Sequence, residues 1–120
     1  MAINVTPEQH GRLKSALENW PERLSWNYTS FDGSVNCTVA YLGAHAGLKF
    51  SIEWKHPWQY AKDYRKQISE LYGIPVEMVE DLENKNGGYL FGQRKRSKGM
   101  RERFEGLAEQ AEVHAVETAA

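Results

Sequence analysis

The most constraining feature of this sequence is a pair of alternating runs joined by Asp32-Gly33. Apolar residues alternate with polar ones over residues 24–31 and again over 34–41, which is the period of a strand with one buried face. Asp-Gly is favoured in type I′ turns because both central residues of such a turn need positive φ. The sequence therefore predicts a β-hairpin whose tip is residues 32–33.

A third alternating run, residues 48–54, extends this hairpin into a three-stranded antiparallel meander. In the register that a two-residue turn imposes, Trp26, Val39 and Phe50 lie on one face of the sheet. Ser, Thr and Asn side chains fall on the other face. A slip by one residue would destroy this agreement, so we expect one apolar and one solvated face.

Helical patterns flank the predicted sheet. Thr6-Pro7-Glu8-Gln9 is a capping box that starts a first helix, and Pro57 starts a second helix that Gly73 ends. A third helix is predicted over about 75–84 and a last helix near 97–113, with residues 89–91 as a short strand or an extended segment. The fold class is thus α+β, in the order α-β-β-β-α-α-(β)-α, with the helices on one face of the sheet. We expect one domain over residues 1–113 and a frayed tail over 114–120.

The bulk properties exclude several classes of protein. The formal net charge of −1 is not that of a polycation, and no segment could span a bilayer.

The single cysteine, Cys37, is interpreted as a buried small hydrophobe in a reducing compartment, and the expected location is the cytoplasm. No Cys/His group has zinc spacing, and a strand would separate His45 from His56, so we expect no metal and no other cofactor.

The clearest electrostatic feature is a basic segment, residues 94–103, that acidic residues flank on both sides. Its basic side chains are candidates for binding phosphates, and two aromatic side chains that precede it are candidates for stacking on bases. The same residues could instead contact a protein. The candidate residues are Tyr89, Phe91, Arg94, Lys95, Arg96, Lys98, Arg101 and Arg103. The alternative interpretation is a solvated helix start that pairs with neighbouring acids.

Residues 64–84 resemble a helix-turn-helix unit. The residues that carry the resemblance are Ile68, Ser69, Tyr72, Gly73, Ile74, Val79 and Leu82. The resemblance implies that the second helix enters the DNA major groove. Its outward positions would be Val76, Glu77, Glu80 and Asp81, and carboxylates repel phosphate, which favours two packed helices with no role in DNA binding.

The element order of residues 6–72 is similar to that of double-stranded-RNA-binding domains. The basic cluster that such domains carry at their second helix is represented by Lys55-His56-Pro57-Trp58, with Lys62, Arg65 and Lys66 further on. The resemblance concerns the order of elements, and it implies RNA binding through this cluster.

Two smaller candidate sites remain. The predicted register brings His56 beside Asp32, with Ser30 and Ser34 close by, and this grouping could form a small hydrolytic site. A turn aspartate beside an exposed histidine is the alternative. Trp58 and Tyr60 fit the apolar pattern less well and are candidate contacts for a protein partner, or they cap the core.

These observations favour a small non-enzymatic protein that docks on a macromolecular partner, with a protein as the first choice. Its size suggests, by analogy, the inhibitors or adaptors that phages direct against host nucleic-acid or defence machinery. Nucleic-acid binding through residues 89–103 is the second hypothesis and the hydrolase is the third. We expect no membrane partner, and the sequence leaves the oligomeric state open.

Overall fold

A computed structural model describes residues 2–26, 35–48, 57–88 and 92–114, with the backbone alone for residues 57–61. Five helices and two short strands lie in these ranges. In chain order they are β1 (Ile3–Val5), α1 (Pro7–Glu18), α2 (Thr38–His45), α3 (Pro57–Tyr72), α4 (Val76–Gly88), α5 (Gln93–Glu109) and β2 (Ala111–Val113). The described part of the chain is therefore mostly helical.

The predicted three-stranded antiparallel meander is wrong. Residues 38–45, which include half of the predicted second strand, form α2, and the sheet of the described residues has two parallel strands, β1 and β2. The predicted hairpin register is also wrong, because the Ser25 N–H donates to the Asn36 carbonyl at 2.9 Å, a pairing that the register excludes. Most of the predicted third strand and the Asp32-Gly33 tip lie outside the described residues. The resemblance to double-stranded-RNA-binding domains no longer holds, because it depended on the predicted three-stranded sheet.

The alternation over residues 35–41 was misleading because α2 is buried on almost every side. Its Thr38, Val39, Ala40, Leu42 and Gly43 are all buried. A helix enclosed by others is apolar all round and carries no 3.6-residue stripe, so a short piece of it can resemble a strand. At its start, the Cys37 side chain accepts a hydrogen bond from the Ala40 N–H at 3.4 Å, as an N-cap does.

The first helix begins as predicted. Thr6 is the N-cap, Pro7 follows it, and Gln9 completes the capping box with hydrogen bonds of 2.9 and 3.1 Å. Gln9 also donates from its amide to the Glu70 carbonyl near the end of α3, at 2.9 Å. The same residue therefore caps α1 and ties it to α3.

The pair of helices predicted from the helix-turn-helix resemblance is confirmed as a structural unit. Helix α3 ends at Tyr72, and Gly73 follows it with φ of +74°, a conformation that favours glycine. The predicted end of α4 at residue 84 is wrong, because α4 continues through Asn86 to Gly88. Helix α5 begins at Gln93 and ends at Glu109, four residues earlier at each end than predicted, and β2 follows it.

The core lies where α1, α2, α3, α4 and α5 meet. Its largest fully buried side chains include Tyr72, Phe104, Leu13, Leu24, Leu42, Ile68 and Met100. Tyr72 packs edge-on against Phe104 and donates from its hydroxyl to the Leu42 carbonyl at 2.6 Å, which satisfies its buried polar atom. Strand β1 contributes Ile3 and Val5 to the same core.

Two helical glycines differ in the space around them, which gives a matched test of this packing. A Cβ built on Gly43 would overlap the Tyr64 hydroxyl, whereas nothing lies within 4 Å of one built on Gly11. We expect Gly43→Ala to lower the free energy of unfolding by about 2 kcal/mol, because the buried Tyr64 ring must move. Gly11→Ala should raise it by about 0.5–1 kcal/mol through better helix propensity. Urea denaturation measures both, and equal effects of the two substitutions would contradict the packing of α2 against α3.

Candidate docking surface at Trp26

A buried asparagine, Asn86, holds three segments of the chain together. Its side-chain oxygen accepts hydrogen bonds from the Thr38 N–H at 3.2 Å and from the Thr38 hydroxyl at 2.8 Å, at the start of α2. Its side-chain N–H groups donate to the carbonyls of Ser25 at 3.0 Å and Trp26 at 3.4 Å. Asn86 is 2% exposed, so these bonds form away from water, where leaving a polar group unpaired is costly.

Arg96 extends this network from the first turn of α5. Its Nε–H donates to the Asn86 carbonyl at 3.2 Å and an Nη1–H donates to the Leu24 carbonyl at 3.1 Å. The residue is 6% exposed, and desolvation by burial lowers the pKa of its guanidinium. Arg96 was a candidate for binding a partner, but its side chain lies in the interior and stabilises the fold.

Trp26 lies directly above this network on the outside of the molecule. Its indole N–H donates to the Gly87 carbonyl at 2.7 Å, yet the residue is 63% exposed. The expectation that Trp26 shares a buried face with Val39 is wrong, since Val39 is fully buried and Trp26 is not. A large ring is therefore held in one orientation while much of its surface faces solvent.

The first turn of α5 is hydrogen-bonded to Leu24, two residues before Trp26. The Leu24 N–H donates to the Gln93 carbonyl at 3.0 Å, so the chain leading into Trp26 is bonded to the residue that opens α5. Arg94 and Lys95 follow Gln93 and are exposed. We call this surface the Trp26 corner, and we define it by Trp26, Gly87, Gly88, Arg94 and Lys95.

The N-terminus of α5 adds positive potential to the corner. Gly92 is its N-cap and has no side chain that could cap the helix, and no acidic residue lies in the first turn. The N–H groups of a helix start carry a partial positive charge, which attracts anions. The corner thus combines an apolar ring with cationic groups.

The other basic residues of α5 are distributed along its length. Lys98, Arg101 and Arg103 are exposed. Arg101 pairs with Glu105 at 3.0 Å, and Arg94 pairs with Glu22 at 3.0 Å. Ion pairs between exposed side chains contribute little to stability, so a partner could replace either carboxylate at small cost.

Helix α4 presents acidic residues to solvent at its other end. Glu77, Glu80 and Asp81 are exposed, as the helix-turn-helix comparison predicted. A recognition helix of this kind would place carboxylates against DNA phosphates, and α4 carries one basic residue, Lys85, in its last turn. The geometry instead gives α3 and α4 a packing role, in which Arg65 on α3 contacts Glu83 on α4 at 2.9 Å.

Several predicted site residues cannot be placed. Tyr89 and Phe91 lie outside the described residues, as do the four residues of the proposed hydrolytic site. Trp58 and Tyr60 lie in the first turn of α3, where the structure describes the backbone alone. These assignments remain predictions.

A serine on α1 and a histidine on α2, which no sequence motif associates, lie in contact. His45 Nε2 and the Ser15 hydroxyl are 3.0 Å apart, and the Tyr41 ring lies beside the imidazole. No carboxylate among the described residues contacts His45, whereas a catalytic serine needs a base that a third group orients. We therefore assign this pair to the packing of α1 against α2.

The thiol of Cys37 is not a candidate nucleophile. The side chain is buried at the start of α2, and burial raises its pKa to about 12. The thiolate is the reactive form, so the group is inert near neutral pH. Its interpretation as a buried small residue agrees with this position.

Within the ranges that the structure describes, no group of His, Cys, Asp and Glu could hold a metal ion, and no helix is long and apolar enough to cross a membrane. Comparison with protein families, with curated proteins and with solved structures finds no match to this chain. The chemistry of the surface is thus the basis for a functional proposal.

Two asparagines on α4 offer a matched test of the network beneath Trp26. Asn86→Ala leaves the Thr38 N–H and hydroxyl and the Ser25 carbonyl without their buried partner, so we expect the free energy of unfolding to fall by about 3 kcal/mol. Asn84→Ala, an exposed change on the same helix, should alter it by less than about 0.5 kcal/mol. Chemical denaturation measures both values, and a small effect of Asn86→Ala would mean that the network does not stabilise the fold.

Proposed function

We propose that this protein acts by docking on a protein partner through the Trp26 corner. The partner that fits this corner presents an apolar pocket for the indole ring and carboxylates for Arg94 and Lys95. The protein would then work as an inhibitor or adaptor, with no chemistry of its own.

The single observation that carries the proposal is the combination of exposure and fixation at Trp26. An exposed tryptophan that is already bonded to Gly87 at 2.7 Å loses little conformational entropy when a partner covers it. Tryptophan and arginine are among the residues most enriched at the positions that dominate protein–protein binding energy. Gly87 lies beside the ring and, like Gly88 after it, has no side chain that would obstruct an approaching surface.

The charge distribution favours a protein over a nucleic acid as the partner. Of the basic residues in segment 94–103, Arg96 is buried, and both Arg94 and Arg101 contact carboxylates. The whole chain carries a formal charge of −1, and α4 exposes acids. Nucleic-acid binding usually depends on an uninterrupted basic surface, because affinity comes from neutralising many phosphates.

One observation favours the nucleic-acid alternative. The start of α5, where Gly92 is the N-cap and Arg94 and Lys95 follow, supplies cations and N–H donors, and the exposed Trp26 ring supplies a stacking surface. These are the components of a single-strand site. The same corner could therefore bind a short single-stranded segment. Tyr89 and Phe91, which precede this segment in the sequence, would add further rings.

Affinity capture from a lysate, with and without nuclease, followed by measurement with the purified partner tests the proposal. Trp26→Ala should weaken binding by about 2 kcal/mol, or about thirtyfold, since it removes the central contact. Arg94→Ala combined with Lys95→Ala should weaken it further and make it less dependent on salt. The capture should survive nuclease treatment.

The matched control removes the same two charges elsewhere on the surface. Lys62 and Lys66 are exposed on α3, so Lys62→Ala with Lys66→Ala should leave the affinity unchanged. Equal losses in both double variants would contradict a specific role for the corner. Capture that nuclease abolishes, with single-strand binding lost in Arg94→Ala/Lys95→Ala, would replace the proposal by the nucleic-acid alternative.

A further inference from the structure

Among the described residues, the outer edge of β2 is an unpaired strand edge. In the described part of the chain, β2 has β1 on one side and no strand on the other. The Gln110 carbonyl accepts a hydrogen bond from the Ile3 N–H at 2.8 Å, and the His114 N–H donates to the Val5 carbonyl at 2.9 Å. The backbone N–H and C=O groups of successive residues point to alternate sides of a strand. Those of Ala111 and Val113 therefore point away from β1.

Apolar surface accompanies this edge. Val113 is paired in register with Val5, so it shares a face with a core residue that is 2% exposed, yet Val113 itself is 48% exposed. Trp26 and Val113 are the two exposed large hydrophobic residues among those described. An exposed apolar side chain on an unpaired strand is typical of a strand that another chain covers.

The charges on β2 indicate which partner strand would pair with its outer edge. Glu112 and His114 lie on the opposite face from Val113, with their side chains 3.8 Å apart and both more than half exposed. If a second copy of β2 pairs antiparallel about Val113, each Val113 lies opposite the other, and each Glu112 lies opposite a His114 of the second copy. Cross-strand pairs of this type are favourable, whereas centring the pairing on Glu112 would oppose two carboxylates.

We propose that the chain forms a two-fold symmetric dimer through this edge, which extends the sheet to the order β1-β2-β2-β1. In the register centred on Val113, the outward peptide groups of the two Val113 residues exchange both hydrogen bonds, as a hydrogen-bonded antiparallel pair does. A two-fold interface of this kind closes on itself and does not continue into a fibre.

The dimer is weak, because three-residue strands bury little surface. Its area falls in the range of transient interfaces, below that of a standard complex. Sedimentation velocity over about 10 μM to about 1 mM therefore suits the measurement. The wild-type chain should pass from monomer to dimer within this range, and Val113→Asp should remain a monomer throughout.

A mixing experiment separates pairing between chains from effects within one chain. Glu112→Lys puts a positive charge opposite His114 of the second copy, and His114→Glu puts two carboxylates opposite each other. Each variant alone should dimerise about tenfold more weakly than the wild type. An equimolar mixture should recover, because the lysine introduced at position 112 of one chain meets the glutamate introduced at position 114 of the other. The second pair in that mixed dimer joins the unchanged Glu112 to the unchanged His114.

Both variants lose the contact between Glu112 and His114 within the chain, so recovery in the mixture can come from the interface alone. Circular dichroism and thermal unfolding serve to check that each variant is folded. We expect both variants to be folded because Glu112 and His114 are exposed. Failure of the mixture to recover, or dimerisation of Val113→Asp equal to that of the wild type, would overturn the proposal. Wild-type chain that stays monomeric up to about 1 mM would overturn it as well.

Discussion

The hydrogen bonds of one buried amide determine how the other parts of this protein meet. Asn86 fixes the start of α2 through Thr38 and holds the chain at Ser25 and Trp26, while Arg96 bonds the Asn86 carbonyl from α5. A buried network that satisfies all its members specifies one arrangement, because each alternative leaves polar atoms unpaired. The same network fixes the position of Trp26, so the candidate docking surface depends on the interior directly beneath it.

Local signals in the sequence predicted the features that depend on neighbouring residues. The capping box of Thr6 and Gln9 and the glycine that ends α3 were interpreted correctly, because each rests on a bond or a backbone angle within a few residues. The alternation over residues 35–41 failed, since burial of α2 on all sides depends on the remaining helices. The third helix was predicted to end at about residue 84, because no local signal indicates that the Asn86 side chain forms hydrogen bonds across the fold. The exposure of Trp26 was missed for the same reason.

The two candidate interaction surfaces lie at opposite ends of α5. This helix has 17 residues, and thus spans about 25 Å from the Trp26 corner to β2. A dimer through β2 would leave both Trp26 corners uncovered and present them as a pair. Two linked sites can bind a repeated or dimeric partner more tightly than either site alone, without any new contact. The weak dimer and the docking surface would then act together.

The pairing of β1 with β2 joins the beginning of the described chain to its end. This ladder closes a loop that contains all five described helices, so the entropy of loop closure opposes it until those helices have assembled. We therefore expect it to form late in folding and to open early in local unfolding. Because each strand is the other's partner, the release of either end of the chain exposes the backbone of both.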